Sequence, residues 1–294
     1  MNHELQTVEE WKQRGRVHSL LGYDVFVIDE PAVSEEAEPV LVLHGFPTSS
    51  YDWQYALDVL RARRRDVLLD YPGYGLSSKP DMRYSLFMKA DVVEACAREL
   101  GLRDVALVTH DVGDSIGGEI LAREIDGTLG FHVTRRVLTN GSIYMDLVQL
   151  TDGQKFLLSL PDEALPEGSG LNADGTAAGL RVTFAADSEV DDAELRGMAE
   201  LVVRDGGGRM LPRTIRYIEE RLVHERRWTG AIEAHPSPLQ VIWGDVDPVA
   251  VWPMAERVAE VRPDAVVRRL DGVGHYPMVE SPARFNTALE AALL

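Results

Sequence analysis

Val105-Ala106-Leu107-Val108-Thr109-His110-Asp111-Val112-Gly113 decides how this chain is read. A run of β-forming residues stops at a polar corner, and a helix-like sequence begins at once behind it. Thr109 and Gly113 flank Asp111 two positions away on either side, and a small residue there lets a strand turn sharply into a helix. Such a corner lifts one side chain clear of the end of a sheet, and here that side chain is a carboxylate. The plainer alternative is an Asp that caps the following helix, a common role at a strand–helix turn.

The same rhythm repeats outward from this corner. Residues 17–29 read as two short strands around Gly22-Tyr23, and Pro39 to Leu43 is a continuous apolar run, as expected of a strand covered on both faces. It ends in His44-Gly45-Phe46-Pro47-Thr48-Ser49-Ser50, where Ser49 or Ser50 can cap a helix running to about Arg64. Further strands are read at 66–70, 104–110, 136–140, 239–243 and 265–270, with an amphipathic helix from Ser85 to Leu100 and another at about 113–124. Strands alternating with helices at this pitch predict an α/β fold built on a mainly parallel, doubly wound sheet. Residues 144–235 break the rhythm: no strand is evident, Pro166 to Gly179 and Asp205-Gly206-Gly207-Gly208 read as loops, and a last helix starts near Pro212. The expected organisation is a core from 1–143, a helical cap from 144–235 laid over the strand ends, and the rest of the core from 236–294.

Composition narrows the function classes. The 294 residues are 45% hydrophobic and 27% charged, ordinary for a globular protein. A net charge of −18, from 48 acids against 30 lysines and arginines, repels phosphate backbones and anionic lipid surfaces, so neither nucleic acid nor membrane is expected as a partner. Cys96 is the only cysteine, which excludes an intrachain disulfide and a thiolate metal cluster. Met1 to Arg16 has no apolar signal segment, and a cytoplasmic monomer or homodimer is the expectation.

The chemistry follows from what closes each strand. If Asp111 is exposed at the elbow, a helix N-terminus behind it keeps it ionised, and it can form an ester with carbon. A competitor lies four residues on, where Gly113-Asp114-Ser115-Ile116-Gly117 matches the G-x-S-x-G pattern of serine esterases. The β-forming run has ended at Val108, which places Ser115 one turn along the helix, facing inward. The base is expected at His275, in the late loop Asp271-Gly272-Val273-Gly274-His275-Tyr276-Pro277, and its orienting acid at Asp247 rather than Asp245. The backbone N–H groups of Phe46 and Val112 can cradle an oxyanion. Metal binding by His44, His110 and the acids is the alternative, but no His-x-x-x-His or similar spacing exists, and no metal or cofactor is expected.

The order His44-Gly45-Phe46-Pro47, Thr109-His110-Asp111-Val112-Gly113, Asp247, His275 resembles the α/β-hydrolases with an aspartate nucleophile, the epoxide hydrolases and haloalkane dehalogenases. Within that group, His44 to Trp53, the pair Arg227-Trp228 and Gly274-His275-Tyr276-Pro277 look most similar to the mesoderm-specific transcript proteins. The resemblance implies an α/β-hydrolase fold with an inserted cap, and a small hydrophobic substrate. Haloalkane dehalogenases usually carry Trp after the nucleophile and Asn after the His-Gly pair, whose N–H groups hold the halide; Val112 and Phe46 donate nothing from their side chains. Epoxide hydrolases instead use cap tyrosines to donate to the epoxide oxygen, and Tyr217 stands where one of their two is expected. Tyr144 is the remaining candidate for the second. Trp53, Tyr144 and Tyr276 are expected to contact substrate. The resemblance favours epoxide opening through an ester on Asp111, with a dehalogenase, a Ser115 esterase and a non-catalytic binding protein as the other readings.

Overall fold

The computed structural model describes residues 5–33, 38–168 and 171–294, so Ser169 and Gly170 of the loop read from Pro166 to Gly179 lie outside the described residues. The chain enters through α1 (Val8–Arg14), closed at its start by a capping box between Thr7 and Glu10, and continues into β1 (Arg16–Leu20) and β2 (Tyr23–Glu30). β3 (Val40–Leu43), four buried aliphatic residues, leads through a short 3-10 turn, Ser50–Trp53, into α2 (Gln54–Leu60) and β4 (Asp66–Leu69). Ser85 caps α3 (Leu86–Glu99) by accepting from the Phe87 N–H. Then come β5 (Asp104–His110), α4 (Val112–Ile125) and β6 (His132–Thr139).

Between β6 and the next strand the chain is helical: α5 (Asp152–Ser159), α6 (Ala173–Arg181), α7 (Asp192–Val203), α8 (Gly207–Thr214) and α9 (Tyr217–Ala234). β7 (Leu239–Gly244), α10 (Pro253–Val261), β8 (Val266–Leu270), α11 (Pro277–Glu280) and α12 (Pro282–Leu293) complete the fold. Among the described residues the eight strands form one sheet in the order β1-β2-β4-β3-β5-β6-β7-β8, antiparallel at β1/β2 and β2/β4 and parallel from there on. This is the mainly parallel α/β sheet that the strand–helix alternation predicts, in the α/β-hydrolase arrangement that the resemblance implies.

Four local expectations are corrected. The stretch from Pro166 to Gly179 is not all loop: Asn172 accepts from the Gly175 N–H and starts α6 at Ala173. The glycines at 206–208 do not mark a loop either. α8 begins at Gly207, and side chains there would collide: a Cβ at Gly207 would lie 2.1 Å from the Val202 carbonyl oxygen, and one at Gly208 2.7 Å from that of Leu171. Pro212 accordingly sits inside α8 rather than opening the last helix, which starts at Tyr217. The helix read to about Arg64 stops at Leu60.

The sheet order creates the site. From β3 the chain goes to β4 on one side, and β5 lies on the other, so the crevice beyond the C-terminal ends of β3 and β5 is a topological switch point. Leu43 pairs with Thr109, so the two strands end level and deliver Gly45-Phe46 and His110-Asp111 side by side. Asp111 turns the corner at φ 49°, ψ −110°, a strained conformation for a residue with a side chain. The tightest point is Gly113, where a Cβ would come 2.3 Å from the Leu43 carbonyl oxygen, a backbone atom that cannot swing away. Gly113→Ala is therefore expected to destabilise the protein by about 3 kcal/mol through overpacking, read as a lowered midpoint in urea unfolding; an unchanged midpoint would show that α4 shifts freely.

Candidate active site

Asp111 is buried to 2% exposure, yet both carboxylate oxygens have partners. The Phe46 N–H donates to Oδ2 at 2.9 Å, and Nη2 of Arg221 lies 3.5 Å from Oδ1 while donating to the Asp111 backbone carbonyl at 3.0 Å. Burial alone would raise this carboxyl. The Arg221 guanidinium, the His275 charge and the Phe46 N–H outweigh burial and hold it below the usual carboxylate range. Val112 opens α4, which makes its N–H one of the first-turn donors a helix leaves unpaired.

His275 and Asp247 come together as a pair. Nδ1 of the imidazole is 2.7 Å from Asp247 Oδ2. Asp247 is itself held by the Val249 and Ala250 N–H groups on Oδ1, at 2.7 and 3.0 Å, and by the Asn140 side-chain amide on Oδ2 at 2.7 Å. Asp245 instead pairs with Arg269 and accepts from the Gly272 N–H. Burial would depress His275, but the Asp247 charge and hydrogen bond, with Asp111 and Glu280 adding theirs, push it up to about 9. The main chain here is tied to the helical insertion. The His275 N–H donates to the Thr183 carbonyl at 3.0 Å, and the Glu280 carboxylate accepts from both Ala185 and Gly274 N–H groups. His110 completes the frame: its Nε2 lies 2.8 Å from the His275 carbonyl oxygen, so that nitrogen carries the proton.

Tyr217 is buried at the start of α9, with the Phe46 ring at 5.2 Å and the Arg221 guanidinium 4.6 Å above its own ring. Burial, and then the Asp111 charge, raise its phenol well above the ordinary value, so it stays protonated. Tyr276 donates from its hydroxyl to the Phe46 carbonyl at 3.2 Å and stacks on Phe184. A cavity of about 210 Å³ opens beside Phe46, His275 and Tyr276, walled above by Leu157, Leu180 and Leu211 of the insertion.

Two residues expected to contact substrate lie elsewhere. Trp53 is packed in the core against Phe285, at 5.8 Å between ring centroids, under the sheet face covered by α2 and α12. Tyr144 hydrogen-bonds Glu233 at 2.9 Å beneath the Arg257 guanidinium and does not line the cavity. Ser115 sits inside α4, where its hydroxyl accepts from Arg221 Nε at 2.7 Å, and not at the strand–helix corner. Reading the sequence alone missed Arg221 and Asn140. The available signal for Arg221 was its spacing: four residues after Tyr217, on the same face of one helix. The pair Arg227-Trp228 has a structural explanation, because both donate to the buried Glu119 carboxylate of α4, at 2.6 and 2.9 Å. Among the described residues no group of three or more His, Cys, Asp and Glu side chains is placed to hold a metal ion, and no helix is long and apolar enough to cross a membrane.

With this architecture in hand the chain belongs to the alpha/beta hydrolase family, which matches residues 40–288. It is a hydrolase of that family. The protein named LipZ of Mycobacterium tuberculosis is 36% identical over 98% of each chain, and the human mesoderm-specific transcript homolog protein is 32% identical over 96% of this chain and 86% of its own. A haloalkane dehalogenase of Agrobacterium fabrum is 34% identical, but over only 42% of this chain and 43% of that protein. Among solved structures, an alpha/beta hydrolase fold protein from Burkholderia ambifaria superposes with a TM-score of 0.77 over 98% of this chain and 99% of its own, at 20% identity, which speaks to the fold alone.

The His275–Asp247 pair has a pH signature. A histidine raised from 6.5 to about 9 adds stability that is complete below pH 6.5 and lost as pH rises through about 9. Imidazole resonances in a pH titration are expected to place the His275 midpoint near 9. Asp247→Asn, which leaves burial unopposed by its charge, is expected to bring that midpoint below 7. A midpoint that ignores the substitution would mean the pair is not charged as drawn.

Proposed function

We propose that this protein opens epoxides on small apolar molecules to vicinal diols, through a covalent ester on Asp111. The observation that carries this reading is the position of the carboxylate: a buried, ionised Asp at the elbow, with one oxygen already held by the Phe46 N–H. A carboxylate suits attack at saturated carbon because it is an anion without prior deprotonation. Residues 144–235, between the core segments 1–143 and 236–294, act as the cap, and the aliphatic and aromatic walls of the cavity favour an uncharged substrate.

In the first step Oδ1 of Asp111 forms a bond to an epoxide carbon while the ring C–O bond breaks. Tyr217 donates its proton to the ring oxygen, and the proton held on His275 at rest replaces it, directly or through water. Esterification removes the Asp111 charge, one of those that keep His275 protonated, so the imidazole becomes a base when the second step needs one. His275, oriented by Asp247, then takes a proton from water, whose oxygen attacks Asp111 Cγ. The resulting oxyanion forms on Oδ2, which faces the Phe46 N–H, with Val112 as the second donor. Collapse breaks the Cγ–Oδ1 bond, and the departing oxygen takes the proton still carried by the water-derived hydroxyl, directly or by way of His275, which releases the diol and restores the Asp111 carboxylate and the imidazolium.

Dehalogenation is the second reading, favoured by the dehalogenase relatives that match part of the chain. It differs in its product: halide released from bromo- or chloroalkanes, without diol formation from epoxides. The deciding measurement is a single turnover of a styrene-oxide-type epoxide, with enzyme in excess, in ¹⁸O water. Label is expected in the Asp111 carboxylate, and label confined to the diol would overturn the ester route. Tyr217→Phe is expected to slow ester formation by about 10²-fold, the usual scale for loss of a proton donor.

A further inference from the structure

The sequence motif left unused by this mechanism is Gly113-Asp114-Ser115-Ile116-Gly117, and the buried cation left unused is Arg221. The structure joins them. Ser115 follows Asp111 by one turn on α4, Arg221 follows Tyr217 by one turn on α9, and residues four apart share a helix face. α4 and α9 approach so closely that a Cβ at Gly118 would lie 2.9 Å from both the Cβ and the carbonyl oxygen of Trp228. Across this seam, Arg221 donates through Nε to the Ser115 hydroxyl at 2.7 Å and through Nη2 to the Asp111 carbonyl at 3.0 Å. The same guanidinium lies 3.5 Å from Asp111 Oδ1 and 4.6 Å from the centre of the Tyr217 ring.

We propose that Arg221 is the positioning residue of this site, and that Ser115 serves it as an anchor rather than acting as a nucleophile. The proposal rests on Asp111 being the group that forms the ester. Two things follow from the geometry. First, a guanidinium fixed at two points orients the carboxylate it touches, with Oδ2 on the Phe46 N–H and Oδ1 on the guanidinium side. Second, it keeps the carboxylate charged. The other titratable groups acting on or felt by Asp111 are His275, His110, His44, Lys89, the Asp114 carboxyl and the phenols of Tyr71, Tyr74, Tyr217 and Tyr276. Among these neighbours Arg221 alone carries a positive charge that no working pH removes. Two short-range roles therefore meet in one side chain: it holds the attacking carboxylate and braces the ring of the proton donor.

The experiment is rapid-mixing single-turnover kinetics of ester formation and of ester hydrolysis against pH, on the full chain. Arg221→Gln, Arg221→Lys, Ser115→Ala and the double variant Ser115→Ala/Arg221→Gln are compared, with thermal unfolding of each. Arg221 lowers the Asp111 pKa, so its loss raises that pKa. The acid limb of ester formation should move up by about one pH unit or more in Arg221→Gln, and the rate near pH 7 should fall by about tenfold or more. Arg221→Lys keeps the charge but not the fork, and should hold the limb near its original place while losing rate. Ser115→Ala should slow ester formation by a few-fold, less than the full worth of one hydrogen bond to a charged group because Arg221 keeps its bond to the Asp111 carbonyl, and should add nothing in the Arg221→Gln background.

An unmoved acid limb in Arg221→Gln, with only the melting temperature lowered, would overturn the proposal. If Arg221→Gln does not fold, the lysine variant and Ser115→Ala decide it: unchanged ester formation in both would overturn it equally. Asp111→Asn separates this from the reading beneath it. Turnover that survives Asp111→Asn but vanishes in Ser115→Ala would mean a serine nucleophile and would sink both, whereas loss in Asp111→Asn with no effect at Arg221 would sink this inference alone.

Discussion

The carbonyl oxygen of Leu43 leaves no room for a side chain at position 113, and much of the site depends on that contact. Because Gly113 can press against β3, α4 starts immediately at the end of β5 instead of after a loop. The level register of Leu43 and Thr109 then fixes the Phe46 N–H relative to the Asp111 carboxylate. Gly45 is under the same pressure from the other side, where a Cβ would meet His110 Nδ1 at 2.7 Å. Backbone packing of this kind costs no side-chain freedom at the moment of reaction, which is what preorganisation requires.

Electrostatics supply what sterics cannot. Asp111 lies where burial alone would neutralise it, and it stays charged because a guanidinium, an imidazole and a backbone N–H converge on it. Asp114, one turn into α4 and hydrogen-bonded to the Thr109 hydroxyl, shows the opposite balance: burial raises it well above the ordinary range, and the Asp111 charge adds to that. Two carboxyls three residues apart are thus pushed in opposite directions by their surroundings, so only one of them is an anion.

The sheet was legible in the sequence because buried parallel strands are continuous apolar runs, and each ended in a residue type that strands do not need. The elbow was legible for the same reason: the β-forming run stops before Asp111, which leaves Ser115 too late for the corner. The insertion was harder. Gly207 and Gly208 look like punctuation, yet they are where helix backbones touch neighbouring carbonyls, and nothing local distinguishes the two uses. Arg221 was hidden among Arg213, Arg216, Arg226 and Arg227, all on or beside one charged helix, where composition does not say which side chain turns inward. Trp53 and Tyr144 were placed by analogy of position, and position along the chain does not say on which side of the sheet a ring will pack.

The bonds between residues 183–185 and 274–280 tie the roof of the cavity to the loop that carries His275. The insertion supplies the carbonyl that holds the His275 main chain, and Glu280 binds Ala185 from the insertion and Gly274 from the histidine loop with one carboxylate. Lifting that part of the roof breaks both links and takes away support from the imidazole's own peptide unit. In the mechanism proposed above, substrate entry along this edge by displacement of residues 183–185 and water activation by His275 exclude one another, because the imidazole regains its main-chain support only when the two links re-form.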